Sequence, residues 1–350
     1  MHVTVALDGR GAERGAEAIV QGARTAAADG IRLRVFGDPD LLAEIRALDG
    51  AELLPAFEEI TNDDEPVAAV RSRPEASVVR AAADVTAGRS AALVSASSTG
   101  ATMTAALFAL RRMQGVRRPA LALQLPLPGR GGRPLLLLDV GANTEARAVD
   151  LVQFAYLGFS FSAAVLGVER PRVALLSVGE EQKKGSAEVV EANERLSDAD
   201  GIEFIGNVEG RHLMGRDADV VVTDGFTGNV VLKTIEGTAK AVADAVRAAA
   251  RSGPRAALGG LLLRPALGSL RRQLDPDTTG GAILLGLRGV TVVAHGSSGP
   301  DGIANAVRLA ARSVEERALE RTAELLERSG MTRGGMHGTD PATRRDRKPV

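Results

Sequence analysis

Residues 202–240 read IEFIGNVEGRHLMGRDADVVVTDGFTGNVVLKTIEGTAK, and this stretch sets the fold. Two short β-branched apolar runs, Ile202–Ile205 and Val220–Thr223, have the length and composition of buried strands. Each is followed by a segment rich in Gly, Asn, Asp and Thr, residues 206–210 and 224–229, which predicts two loops. Val230, Val231, Ile235 and Ala239 then share one face of a helix. Ligands of open α/β sheets sit beyond the carboxyl ends of strands, where small residues let backbone N–H groups approach an anion. Glycines also simply make turns. Asn207, Glu209, Arg211, Asp224, Asn229 and Lys233 on two adjacent loops favour a site over turns alone.

Working outward, the same alternation recurs. Val3–Leu7, Leu33–Phe36, Ala91–Ser95, Leu135–Leu138, Val173–Val178 and Val290–Ala294 read as strands, with helical patterns between most of them. The expected fold class is therefore α/β: a doubly wound, mostly parallel sheet with helices on both faces. Residues 119–134 look irregular and rich in Pro and Gly, and residues 303–326 look like one long amphipathic helix.

Several strand ends carry polar side chains. Asp8 follows the first strand. Ser98, Thr99 and Gly100 follow the Ala91 strand, where hydroxyls suit either a helix cap or a phosphate. Asp139 and Asn143 close the Leu135 strand, and His295 and Ser297 follow the last one. Residues 179–185, with Lys184, form a charged loop between two glycines. If these loops converge, Asn229 and Lys233 face one pocket with Asn207 and His295.

Composition narrows the function. The formal net charge is -1 and aromatic residues make up 3%, with no Trp, so nucleic acid is not the expected partner. There is no Cys, which excludes disulfides, thiolate metal sites and a Cys nucleophile. No convincing acidic metal cluster stands out, and no cofactor or metal is expected. The first residues read as a strand and not as an export signal, so a cytoplasmic location is expected.

Residues 238–274 differ in kind. An Ala-rich helix reaches Ser252-Gly253-Pro254, then Leu258, Leu261, Leu262, Leu263, Leu267, Leu270 and Leu274 are interspersed with Arg255, Arg264, Arg271 and Arg272. Pro265 should kink this second arm. An amphipathic Leu/Arg hairpin suits an anionic membrane surface or a buried dimer seam. The expected organisation is one α/β domain over 1–330 that includes the 238–274 hairpin, and a disordered tail over 331–350.

From Val3 to about Leu309 the chain resembles the phosphate acyltransferases of bacterial phospholipid synthesis. The segments that carry the resemblance are IGNVEGR at 205–211, TDGFTGNVVLKTIEG at 223–237 and LDVGAN at 138–143. SVGEEQKKG at 177–185 and AHGSS at 294–298 agree. The resemblance implies a fold related to phosphotransacetylases and isopropylmalate dehydrogenases, and usually a homodimer. It implies transfer of a fatty acyl group from acyl carrier protein to inorganic phosphate. The acyl phosphate would feed a glycerol-phosphate acyltransferase at the membrane, with peripheral membrane association. An acyl-CoA-dependent phosphotransacylase, or a diverged non-catalytic membrane-docked scaffold of lipid synthesis, are the alternatives. The family's LDAMGGD is here Leu7-Asp8-Gly9-Arg10-Gly11-Ala12-Glu13, and its SAGNTGA is Ser95-Ala96-Ser97-Ser98-Thr99-Gly100-Ala101. Its EYGG is Thr278-Thr279-Gly280-Gly281, and Gly299 replaces an Asp after HGSS.

For that reaction the chain must hold a dianion, stabilise an oxyanion and release a thiolate. Lys184, Arg211 and Lys233 are the candidate cations. Asn229 and the backbone amides near Gly225–Gly228 are candidate donors. His295 could act as general acid or hold phosphate. Asp8 and Asp224 would orient these groups, since like charges repel.

Overall fold

The computed structural model describes residues 3–127, 133–215, 217–273 and 276–331. Eleven strands form one sheet among the described residues. They are β1 (Thr4–Asp8), β2 (Arg32–Gly37), β3 (Ala51–Pro55), β4 (Ala92–Ser95), β5 (Ala120–Leu125) and β6 (Leu135–Leu138). The rest are β7 (Arg172–Ser177), β8 (Glu203–Glu209), β9 (Val220–Val222), β10 (Ala282–Leu285) and β11 (Val290–Val293). Their order is β3-β2-β1-β4-β11-β10-β5-β6-β9-β7-β8.

The helices are α1 (Gly15–Ala28), α2 (Pro66–Ser72), α3 (Ser77–Thr86), α4 (Thr99–Leu110) and α5 (Ala148–Ala164). Then come α6 (Ala187–Ser197), α7 (Gly225–Ala250), α8 (Pro254–Gln273), α9 (Pro300–Glu315) and α10 (Ala318–Arg328). Two apolar layers lie on opposite faces of the sheet. Strand alternation puts Val5 and Leu7 in the layer under α1, α5, α6, α9 and α10, and Ala6 in the layer under α2, α3 and α4. In β6 all four leucines are buried, two in each layer. A run that is apolar on both sides is what a central strand of a covered sheet requires, and each such leucine contributes about 1.5–3 kcal/mol relative to exposure.

Strand direction decides where side chains can meet. β1, β2, β3, β4 and β11 run together. β10 is antiparallel to β11 and to β5, and β5 is antiparallel to β6. Those three reversals send β6, and with it the parallel β7, β8 and β9, the opposite way. The sheet is thus two parallel halves of opposed direction, joined by β10 and β5.

Four expectations change. Residues 120–125 are a fully buried strand and not an irregular segment: ALALQL follows Pro119 and sits centrally in the sheet. Residues 206–209 are not a loop but the second half of β8, which passes a register irregularity opposite Val173 and Leu175. Residues 225–229 are not a loop either, because Asp224 caps a helix that starts at Gly225. The single helix expected over 303–326 is two, since Arg317 adopts φ 53° at the start of α10, a left-handed conformation that ends the helical run.

α7 and α8 pack on each other, and beyond its first turns α7 leaves the body. At 1.5 Å per residue α7 is about 39 Å long. Pro265 lies inside α8. The side chains of Leu267 and Leu270 and all of Leu274 lie outside the described residues, as does the tail beyond Met331.

Candidate active site

The turn after β6 is wound around one carboxylate. Asp139 is fully buried. Its Oδ1 accepts the amides of Leu121 (3.1 Å), Gly141 (3.1 Å) and Ala142 (2.9 Å). Its Oδ2 accepts the backbone amide and the side-chain Nδ2 of Asn143, at 2.7 and 2.8 Å. Burial pushes the Asp139 carboxyl up from its usual range, and these donors oppose the shift. Asn143 Nδ2 also donates to the carbonyl of Pro119 at 2.8 Å, so the turn is tied to the start of β5.

The first turn of α7 is set against this loop. The Gly225 amide donates to the Asn143 carbonyl at 2.7 Å. A Cβ on Gly228 would lie 1.9 Å from the Asp139 carbonyl oxygen, and one on Gly225 2.5 Å from the Asn143 carbonyl. Only glycine permits that approach. Asp224 caps the helix, accepting the Thr227 amide at 2.8 Å and the Thr227 hydroxyl at 2.7 Å. The amides of Gly225, Thr227 and Gly228 are therefore already paired, the last with the Asp224 carbonyl at 2.9 Å. Of the amides expected as donors near Gly225–Gly228, these three are taken, and the one without a described partner is that of Phe226. Asn229 is exposed, and its Nδ2 donates to the Val140 carbonyl at 3.3 Å. Its amide oxygen and second N–H remain for a ligand.

The neighbouring strands end at the same edge. Asn207 is buried and turned inward. It accepts from Asn193 at 2.8 Å and donates to the carbonyls of Glu181 (2.9 Å) and Lys184 (3.3 Å), so it ties down the 179–185 loop instead of facing a pocket. Lys184 is exposed on that loop. Arg211 pairs with Glu209 at 2.8 Å and Lys233 with Glu236 at 2.8 Å, both at exposed positions.

His295 does not join them. β11 delivers it to the edge where β1 and β4 end, with its Nδ1 2.8 Å from the Ser297 hydroxyl. Asp8 is buried at this second edge, accepting from Ser95 at 2.8 Å. Ser98, Thr99 and Gly100 start α4 there, and Ser98 caps it without a side-chain hydrogen bond. One sheet cannot bring both groups together in a single chain, because its halves run in opposite directions. Periodicity finds strands but not their direction, and so it predicts one pocket where there are two edges.

Beside Asn143 opens a cavity of about 810 Å³. Met103, Leu107, Met113, Val116 and Leu284 give it apolar walls; Arg111, Arg112, Arg118 and Arg288 line it as well. None of these arginines stands out in the sequence as a site residue. The Arg111-Arg112 and Arg117-Arg118 doublets were visible, but their position under the carboxyl end of β6 depends on β5 being a strand. Among the described residues no group of three or more His, Asp or Glu side chains could hold a metal.

Comparison with known proteins fits this architecture. The profile of a family described as Fatty acid synthesis protein matches residues 3–321. A phosphate acyltransferase of Elusimicrobium minutum is 44% identical over 319 residues, which cover 89% of this chain and 92% of that protein. One from Heliobacterium modesticaldum is 42% identical over 319 residues, covering 89% and 94%. Among solved structures, a branched-chain phosphotransacylase from Enterococcus faecalis V583 aligns with TM-score 0.58 at 18% identity, over 89% of this chain and 99% of the other. The EutD phosphotransacetylase from Staphylococcus aureus aligns with TM-score 0.57 at 18% identity, over 89% and 94%. At that identity the two structures speak for the fold alone, whereas the family profile and the sequence relatives span nearly the whole α/β body. On that ground the chain belongs to the fatty acid synthesis protein family, whose closely similar members are phosphate acyltransferases.

Proposed function

We propose that this enzyme transfers a fatty acyl group from acyl carrier protein to inorganic phosphate, forming acyl phosphate for phospholipid synthesis. The observation that carries the reading is the meeting of the Asp139–Asn143 turn with the first turn of α7, at the mouth of a cavity with apolar walls. A phosphate oxygen attacks the thioester carbonyl carbon, and the carbonyl becomes an oxyanion. The C–S bond then breaks. With hydrogen phosphate as nucleophile, its proton ends on the departing sulfur, so the step balances without a general acid. His295, at the other edge, is not needed for it. Asn229 and the Phe226 amide donate to the oxyanion, aided by the positive end of the α7 dipole. Lys184 and Lys233 lend positive charge from the margin. Phosphate-dependent release of free carrier thiol from purified protein tests the reading.

We assign residues 1–330 to one α/β domain carrying the hairpin. Val242, Leu258, Leu261, Leu262 and Leu263 are all more than half exposed on that hairpin. No helix among the described residues is long and apolar enough to cross a membrane. Leucines and arginines together support peripheral binding to anionic lipid, where acyl phosphate would be handed on. A homodimer would cover the same apolar residues, and the two are separated below.

A further inference from the structure

The cavity beside Asn143 has an unusual charge balance. Arg111, Arg112, Arg118 and Arg288 line it, and no described carboxylate pairs with any of them. Arg117 does pair, with buried Asp150 at 3.0 Å, and its amide donates to Gln153 at 2.9 Å, which anchors the loop that carries the others. Three of these guanidinium groups, those of Arg112, Arg118 and Arg288, are held by carbonyl oxygens instead. Arg118 donates to the Glu145 carbonyl at 3.1 Å, Arg288 to the Arg112 carbonyl at 3.1 Å, and Arg112 to the Arg117 carbonyl. A carbonyl orients a guanidinium without neutralising it. Arg111 has φ 61°, a conformation ordinary side chains avoid, and its carbonyl accepts the Arg288 amide at 3.0 Å. The loop is thus pinned to the turn between β10 and β11, with positive charge gathered over apolar walls.

Positive charge kept unpaired and pre-oriented over apolar walls is suited to an amphiphilic anion. A cavity of about 810 Å³ falls in the range of about 300–1,000 Å³ that holds small organic ligands. We infer that this cavity binds a single-chain amphiphile with a phosphate end, the phosphate on Arg111, Arg118 and Arg288 and the chain along Met103, Leu107 and Leu284. On the function proposed above, that ligand is the acyl phosphate itself, held beside the site where it forms.

The test is calorimetric titration of the full-length protein with dodecyl phosphate below its micelle concentration, with inorganic phosphate and dodecyl maltoside in parallel. Dodecyl phosphate is expected to bind at least tenfold more tightly than either. Arg111→Gly, which suits the positive φ, combined with Arg118→Gln should weaken it at least tenfold without lowering Tm. Arg118→Lys should cost less. Leu107→Asn, which makes the wall polar without adding charge, should weaken dodecyl phosphate but not inorganic phosphate. Equal binding of dodecyl phosphate and inorganic phosphate, or of wild type and the arginine variant, overturns the inference. So does displacement of carrier protein, but not of dodecyl phosphate, by the arginine substitutions, since the arginines would then serve a protein surface. Binding is read without turnover, so a chain that makes no acyl phosphate but binds the amphiphile contradicts only the proposed function.

Discussion

Both nitrogens of Asn143, backbone and side chain, donate to one carboxylate oxygen of Asp139, at 2.7 and 2.8 Å. The pair closes the turn that receives the first turn of α7, so the site depends on a buried acid whose two oxygens are taken up by the turn itself and by the Leu121 amide. Asp139→Asn puts an amide donor among N–H groups that all need an acceptor. A buried polar group left unsatisfied costs about 1–3 kcal/mol. Urea denaturation should show a loss of that size, with faster amide exchange at Leu121 and Asn143. Unchanged stability would mean the turn holds without the carboxylate.

Two glycines of α7 should respond in opposite senses. Gly228→Ala places a methyl 1.9 Å from the Asp139 carbonyl oxygen. Overpacking of this kind costs about 1–3 kcal/mol, and activity should fall with it as the first turn is displaced. Gly237 has nothing within 4 Å of an added Cβ and lies in the same helix. Gly237→Ala should stabilise by about 0.5–1 kcal/mol, through helix propensity. Thermal melts of the two variants side by side check this, and equal shifts would contradict the close approach of α7 to the turn.

Much of this was legible in the sequence. The four leucines of β6 and the alternation of strand and helix patterns suffice for a doubly wound sheet. Asn143, Asp224 and Asn229 could be placed at strand ends because a polar residue just after a buried apolar run has few other reasons to be there. Three features were not legible. Strand direction depends on β5 being a strand and on its pairing with β10, which lies far along the chain, so the sequence does not tell that His295 and Asn229 sit at opposite edges. The segment Asp224–Asn229 has the composition of a loop, yet Asp224 is a helix cap, and Gly225 and Gly228 serve close approach and not flexibility. β5 was hidden because Pro119 before it and the Pro and Gly after it outweighed its own six residues.

Asp8 predicts a pH signature. It is fully buried, and burial raises its carboxyl above the ordinary range, opposed by hydrogen bonds from serine side chains and the Arg10 amide. Its unfolded value is about 3.9. Between that value and the raised folded one, the native state holds more protons than the unfolded state. Stability from this group is therefore complete below about pH 3.9 and is lost as pH rises through the folded pKa. Asp8→Asn removes the titration while the amide can still bond Ser95. The Tm of the variant relative to wild type should climb as pH rises above about 3.9. A difference that does not change with pH would show that Asp8 titrates normally.

Lipid and a second chain are the two candidate partners for the apolar residues of the hairpin. A buried leucine gains about 1.5–3 kcal/mol, and each basic residue near anionic lipid about 1 kcal/mol. Several together give reversible binding that salt weakens. Leu261→Glu with Leu262→Glu should detach the protein from anionic vesicles, in flotation at low salt, while light scattering shows an unchanged oligomeric state. Monomers, with no vesicle binding by the parent protein, would assign the leucines to a dimer seam instead.

The most direct measurement gives purified full-length protein acyl carrier protein loaded with a fatty acyl thioester, with and without inorganic phosphate. Acyl-CoA is run in parallel, and both free thiol and acyl phosphate are followed. The account predicts one acyl phosphate per thiol released, strict dependence on phosphate, a faster reaction with the carrier protein than with acyl-CoA, and at least a tenfold loss of rate in Asn229→Ala. Thiol release without phosphate, or no acyl phosphate from either donor, would contradict it.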